Sequence, residues 1–476
     1  MPRLARDVAS SADNVLHPLA SLRASRWGVP GALAGGLLAA QLVLVGVDPG
    51  PYYFTDSASY LFAVHRSRPR RTRPVGVSVL WRTVLVLHRS ELTIVAAQVL
   101  LVTAAGMVAY AIACLLGVSR RLSCACAAAV SLSPVALLFE RFLLSDAFAA
   151  FLLAAGTCLL VTALLRRRPW LCAASGTVLA LAVAVRTDLV LTVLVGLVCV
   201  AALWQVRTLR DASTAAALFA AGALPILVGQ MVWTQNATGS LSLSPWSGVV
   251  AIARTAHLVD CHDPTAAPPI RRQVCADGIP TRSYNNVIWR RGVVNRTLRE
   301  PANAFERDNG QLLQLALTSM RQHPLKYLET IPQTIAADFG IHDPDAYEYA
   351  ARPNGPARAA LVRAGIPVAP TGGHRLFEPL LTAARAWAAI RWLMVAAAVA
   401  AVATTRRQPA RRARIAVAAI AAAALGPALL LGGPVPRYVF GIEAISWPLA
   451  FSLCCGSRRT ATTSEVAAPA PALRTG

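Results

Sequence analysis

The stretch "LTIVAAQVLLVTAAGMVAYAIACLL", residues 92–116, decides the class of fold. It carries no charged side chain, and it is longer than the roughly 20 residues a helix needs to cross a bilayer. Apolar residues do not alternate with polar ones along it, so it reads as a helix whose backbone is paired internally, not as a barrel strand.

Working outward, similar runs recur at 29–47, 122–139, 146–165, 170–186, 188–205, 213–234, 386–404, 414–432 and 437–455. With 92–116 they make ten candidate spans. Composition agrees. Of 476 residues, 55% are apolar and 14% charged, against about 25% charged in a soluble chain. Mean hydropathy is +0.51. One water-soluble core does not hide that much apolar surface. The expected fold is therefore an all-α polytopic membrane protein with about ten transmembrane helices and a large outside-facing loop region.

The net charge of +23 invites a nucleic-acid reading, which the placement of the arginines rejects. They cluster in short turns: "SRR" at 119–121, "RRRP" at 166–169, "QVRTLRD" at 205–211, "RRQPARRAR" at 406–414 and "GSRRT" at 456–460; the loop 48–91 departs from this with Arg66, Arg68, Arg70, Arg71, Arg73, Arg82 and Arg89, which are expected to act on the outer face. Threaded through ten spans, the short turns and the basic N-terminal arm all fall on one side. The positive-inside rule makes that side cytoplasmic, with both termini in the cytoplasm. The run after the arm shows no small-residue cleavage site and reads as a retained span.

The expected organisation follows. Residues 1–28 are a cytoplasmic arm. Residues 29–235 hold seven spans, with a first outer loop at 48–91. Residues 236–385 are an extracytoplasmic region, 386–455 hold three spans, and 456–476 are a disordered tail rich in Ala, Thr and Pro. Within the first outer loop, "PVGVSVLWRTVLVLH" (74–88) is too short for a span and carries Arg82 at its middle, so it reads as a helix along the membrane. "HPLKYLETIPQTIAADFG" (323–340) reads as a second amphipathic surface helix. Cys261 and Cys275 lie in the large loop and are the candidate disulfide if it faces an oxidising compartment.

The polar residues gather at the outer ends of the spans. Asp48 and Asp56 follow the first; "FERFLLSDAF" supplies Glu140, Arg141 and Asp146; "VRTDLV" supplies Arg186 and Asp188; "GGPVPRYVFGIE" supplies Arg437, with Glu443 below it. Charges at a membrane edge are costly and point to function. Arg holds a phosphate bidentately and keeps its charge in low dielectric. A carboxylate deprotonates an attacking hydroxyl. The combination suits a substrate with a lipid tail, a phosphate and a sugar. Tyr52, Tyr53 and Tyr60 read first as interfacial belt residues.

This layout resembles the GT-C superfamily of integral-membrane glycosyltransferases, over roughly residues 30–455. "FTDSASYLFAV" resembles its first outer loop, with an Asp shortly after span one; "RTRPVGVSVLWRTVL" resembles the surface helix that follows. "FLLSDAFAAFLLAAG", "RTDLVLTVLVGLV", "HPLKYLETIPQTI" and "GGPVPRYVFGIEAISWPLAF" are similar to later elements in the same order. The nearest likeness is to bacterial protein-mannosyltransferase-like and lipid-linked-arabinose-transferase-like enzymes. The resemblance implies a polyprenyl-phosphate-linked sugar donor, a glycan, lipid or protein acceptor, and an active site on the outer face of the plasma membrane of a bacterial cell, in envelope building. It implies Asp56 as the catalytic base. Arg437, Arg186, Asp188, Asp146, Asp48, Arg71, Arg73 and Tyr60 are the candidate substrate and phosphate contacts. Many relatives carry a second acid beside the first; here Ser57 follows Asp56. No residues are assigned to a metal, although a divalent ion is compatible with the chemistry. The rival readings are a transporter or flippase of a lipid-linked intermediate and a non-catalytic envelope scaffold.

Overall fold

The structure is a computed structural model, and it describes residues 28–54, 56–65, 74–204, 209–244, 246–260, 274–275, 302–338, 353, 355–367, 374–404, 408–430 and 437–455. All ten expected apolar runs form helix. In chain order the helices are α1 (Gly28–Val47), α2 (Ser57–His65), α3 (Val75–Leu87), α4 (Glu91–Leu115), α5 (Arg120–Ser131), α6 (Pro134–Phe139), α7 (Asp146–Arg166), α8 (Trp170–Val185), α9 (Val190–Leu203), α10 (Leu209–Thr238), α11 (Ser247–Thr255), α12 (Ala302–Gln322), α13 (Pro324–Asp338), α14 (Gly355–Ala364), α15 (Phe377–Thr404), α16 (Gln408–Leu430) and α17 (Arg437–Phe451). Among the described residues, six helical segments are long and apolar enough to cross a membrane: α1, α4, Arg120–Phe139, α7, Leu209–Asn236 and α15. The fold is that of an all-α polytopic membrane protein.

Local sequence explains the breaks. Ser90 caps α4 by accepting the Leu92 N–H at 3.2 Å. Ser133 accepts the Ala136 N–H at 3.1 Å and Pro134 opens α6, which splits the span between Arg120 and Phe139.

Lipid tails give helices no hydrophobic reason to associate, so small residues and polar side chains hold the bundle. At the α8–α10 crossing, a Cβ on Gly176 would lie 2.2 Å from the Phe219 carbonyl oxygen. One on Gly222 would lie 2.1 Å from the Ala173 carbonyl oxygen. Only glycine allows that backbone approach. Gln41 ties α1 to two helices: its amide donates to the Ser131 carbonyl at 2.9 Å and accepts the Thr103 hydroxyl. Farther along, Arg391 of α15 meets Glu443 of α17 at 2.5 Å, with both side chains buried.

The segment 74–88 forms α3, which buries Val77, Trp81 and Leu85 at four-residue intervals and exposes Val79, Val86 and Leu87. Gly76 lets it close onto the end of α8, where an added Cβ would meet the Ala184 carbonyl at 2.6 Å. In the loop region, α11 and α12 share a small core around Val249, Ile252, Leu312 and Ala316. The expected helix at 323–340 is α13, with Leu325 and Leu328 exposed. Arg254 fastens α13 to α11 by donating to the Thr330 carbonyl and hydroxyl, both at 3.0 Å. Helix α14 lies across α2, with the Arg363 guanidinium 5.4 Å from the centre of the Phe62 ring. Part of the large loop thus covers the helix that Asp56 leads.

Candidate active site

Asp56 sits at the head of α2. Its carbonyl accepts the N–H groups of Ser59 and Tyr60 and the Ser59 hydroxyl at 2.7 Å. Ser57 closes the start of the helix: its hydroxyl accepts the Phe54 N–H at 3.0 Å, and its own N–H donates to the Phe54 carbonyl. Ser57 therefore ties the start of α2 to Phe54 by two local hydrogen bonds. Asp56 and Tyr60 are one turn apart and share a face of α2. The Tyr60 hydroxyl lies 3.0 Å from that of Ser145, the residue before Asp146. This contact brings the Asp56 helix against the head of α7.

There Asp146, Arg186 and Asp188 meet. Arg186 forks onto Asp188 through Nε at 3.2 Å and Nη2 at 2.7 Å, and its Nη1 donates to Asp146 Oδ1. Asp146 is buried, whereas the Asp188 side chain keeps 28% of its exposure. Asp146 Oδ2 is buried and has no hydrogen-bond partner among the described residues. The three residues come from the start of α7, the cap of α8 and the turn that follows it.

Asp48 belongs to a second, closed cluster. Its Oδ2 accepts the Tyr52 hydroxyl and the Leu376 N–H, each at 2.9 Å. Arg141 donates to the Asp48 carbonyl and lies 3.7 Å from its carboxylate, with both side chains at 1% exposure or less. The His374 ring stands 3.8 Å from Oδ1. Backbone bonds from Tyr52 to the Arg141 carbonyl (2.8 Å) and from Leu143 to the Tyr52 carbonyl (3.1 Å) complete the join. Three segments far apart in sequence are fastened at one point.

The tyrosines do not form a belt. Tyr52, Tyr53 and Tyr60 are buried because each hydroxyl finds a partner inside the protein, which is what a buried phenol requires. Tyr53 donates to Glu91, a buried acid at the start of α4. Burial, and then the Glu91 carboxylate, push the Tyr53 phenol well above its usual range, so it remains a donor. Glu140 is fully buried and neither of its oxygens has a hydrogen-bond partner among the described residues. Burial pushes its carboxyl up, against the opposing pull of Arg141.

Arg71, Arg73 and Cys261 lie outside the described residues; Cys275 is disulfide-bonded. Arg437 opens α17, and one turn on Phe440 stacks on Phe139 with ring centres 5.4 Å apart. The head of α17 thereby comes to the turn that runs from Glu140 to Asp146. Sequence reasoning missed His374, Glu91 and Arg391. Arg391 was findable, as a charge inside an apolar run. Glu91 and His374 were not, since only long-range packing gives them partners. Among the described residues, no three His, Cys, Asp or Glu side chains come together as a metal site would need.

A bundle of apolar helices with carboxylates and arginine converging at one end defines a polytopic membrane protein with a buried polar site. Residues 82–242 match the family model for dolichyl-phosphate-mannose-protein mannosyltransferase, a GT-C family. The matched stretch contains Asp146, Arg186 and Asp188; Asp56 and Arg437 lie outside it. No curated protein matches the chain, and no solved structure does.

Proposed function

We propose that this protein is a GT-C glycosyltransferase that moves a sugar from a polyprenyl-phosphate donor to a hydroxyl of an exported glycan, lipid or protein. The observation that carries the reading is the contact of Tyr60, on the Asp56 helix, with Ser145, the residue before Asp146 of the Asp146–Arg186–Asp188 cluster, inside a chain whose residues 82–242 match a mannosyltransferase family. The family's description favours mannose; arabinose is the alternative.

In this reading the Asp56 carboxylate takes the proton of the acceptor hydroxyl. The acceptor oxygen bonds to the anomeric carbon as the bond from that carbon to the phosphate oxygen breaks. The bonding electrons leave with polyprenyl phosphate, whose charge Arg437, Arg71 and Arg73 hold. One base and one leaving group in a direct displacement give inversion. In the same reading the site faces the outside of a bacterial plasma membrane and both termini the cytoplasm, which the basic turns between spans support.

The test offers purified protein labelled polyprenyl-phosphate mannose and, separately, polyprenyl-phosphate arabinose, with an envelope extract as acceptor. Transfer from one donor, with the opposite anomeric configuration in the product, supports the reading. Absence of transfer from either donor, together with lipid movement across liposomes, overturns it in favour of a flippase.

A further inference from the structure

The sequence suggests that Arg186 grips phosphate. The geometry points elsewhere. Arg186 already forks onto Asp188 and reaches Asp146. Two carboxylates and one guanidinium leave the cluster with a formal charge of −1, which repels a phosphate.

One observation says what the cluster would accept instead. Asp146 is 2% exposed, yet its Oδ2 has no hydrogen-bond partner among the described residues. Buried polar atoms are almost always paired, so this acceptor requires a donor. A lipid phosphate offers only acceptors and adds negative charge. A sugar offers several O–H donors and no charge. The location fits, because Ser145, beside Asp146, touches Tyr60 on the face of α2 that Asp56 shares.

We infer that the Asp146–Arg186–Asp188 cluster is the hydroxyl-recognition subsite for the transferred sugar, with Asp146 Oδ2 accepting a sugar hydroxyl and Arg186 fixing the direction of that carboxylate. This rests on the glycosyltransferase reading. It separates the sugar from the phosphate, which is left to arginines outside the cluster. Asp146 becomes a specificity-determining residue.

The test uses the full chain in nanodiscs and two probes, polyprenyl-phosphate mannose and polyprenyl phosphate without sugar, with binding followed by tryptophan fluorescence. Wild type is expected to prefer the sugar-bearing lipid by about tenfold, the worth of one good hydrogen bond to a charged acceptor. Asp146→Asn is expected to erase the preference and leave the affinity for polyprenyl phosphate within about twofold. Loss of polyprenyl-phosphate affinity in that variant would return the cluster to the phosphate. An unchanged preference would mean that Oδ2 serves water or packing, and would overturn the inference. If Asp146→Asn fails to fold, deoxy analogues of the donor on the unmutated protein take its place. One of them must lose the tenfold preference; if none does, the inference fails. Binding of neither lipid by wild type would sink the glycosyltransferase reading itself, whereas transfer without a sugar preference would sink only this subsite.

Discussion

Two carboxylate–arginine clusters lie at the same end of the bundle and look alike in sequence. Asp48–Arg141 is shut: both side chains are at 1% exposure or less, and the Asp48 Oδ2 oxygen is shared between a phenol and a backbone N–H. Asp146–Arg186–Asp188 is half open: the Arg186 side chain keeps 10% exposure and that of Asp188 keeps 28%. The first joins the segment after α1, the turn before α7 and the segment before α15. Both keep buried polar atoms without a hydrogen-bond partner among the described residues, Asp48 Oδ1 in the first and Asp146 Oδ2 in the second. Ion pairs therefore divide here into fasteners and contacts, and the dividing quantity is exposure.

The sharpest way to break this comparison is to remove one acid from each cluster. Asp48→Ala strands a buried Arg141, and the expected loss of stability is about 3–5 kcal/mol. Asp188→Asn acts on a partly exposed pair, and the expected loss is below about 1 kcal/mol. Thermal unfolding in detergent measures both, and equal losses would erase the distinction. Arg391–Glu443 is a third fastener, deeper in the bundle. Arg391→Met alone is expected to cost about 3–5 kcal/mol, and Arg391→Met with Glu443→Leu to recover most of it. A double variant as unstable as the single would show that the pair does more than hold α15 to α17.

Much of the fold was legible because a membrane span needs only length and apolarity, and each run from 29–47 to 437–455 became helix. Asp56 was legible as the acid that directly precedes a helix. The partners were not. That Asp48 answers the Leu376 N–H depends on segments more than 300 residues apart meeting. Nothing in the local pattern announces that. The same holds for α14 lying over α2 and for Tyr53 reaching Glu91. The belt reading of the tyrosines failed for one physical reason: an aromatic ring near a membrane edge is equally content inside the protein once its hydroxyl has a partner.

The smallest expected effect belongs to Glu140. Its folded carboxyl is raised above the unfolded value of about 4.3. Its stabilising contribution is therefore complete below that value and is lost as pH rises through the folded one. Unfolding temperature should fall as pH rises across that window in wild type, and Glu140→Gln should flatten the fall. An identical profile in the variant would mean that Glu140 finds a donor in solution.

The central claim is that Asp56 is the base. It is tested most directly by sugar transfer from labelled polyprenyl-phosphate mannose in detergent, comparing wild type with Asp56→Asn at equal donor binding. The account predicts a loss of about 10²–10⁴-fold, the usual worth of a general base. Transfer at the wild-type rate in the variant would contradict it.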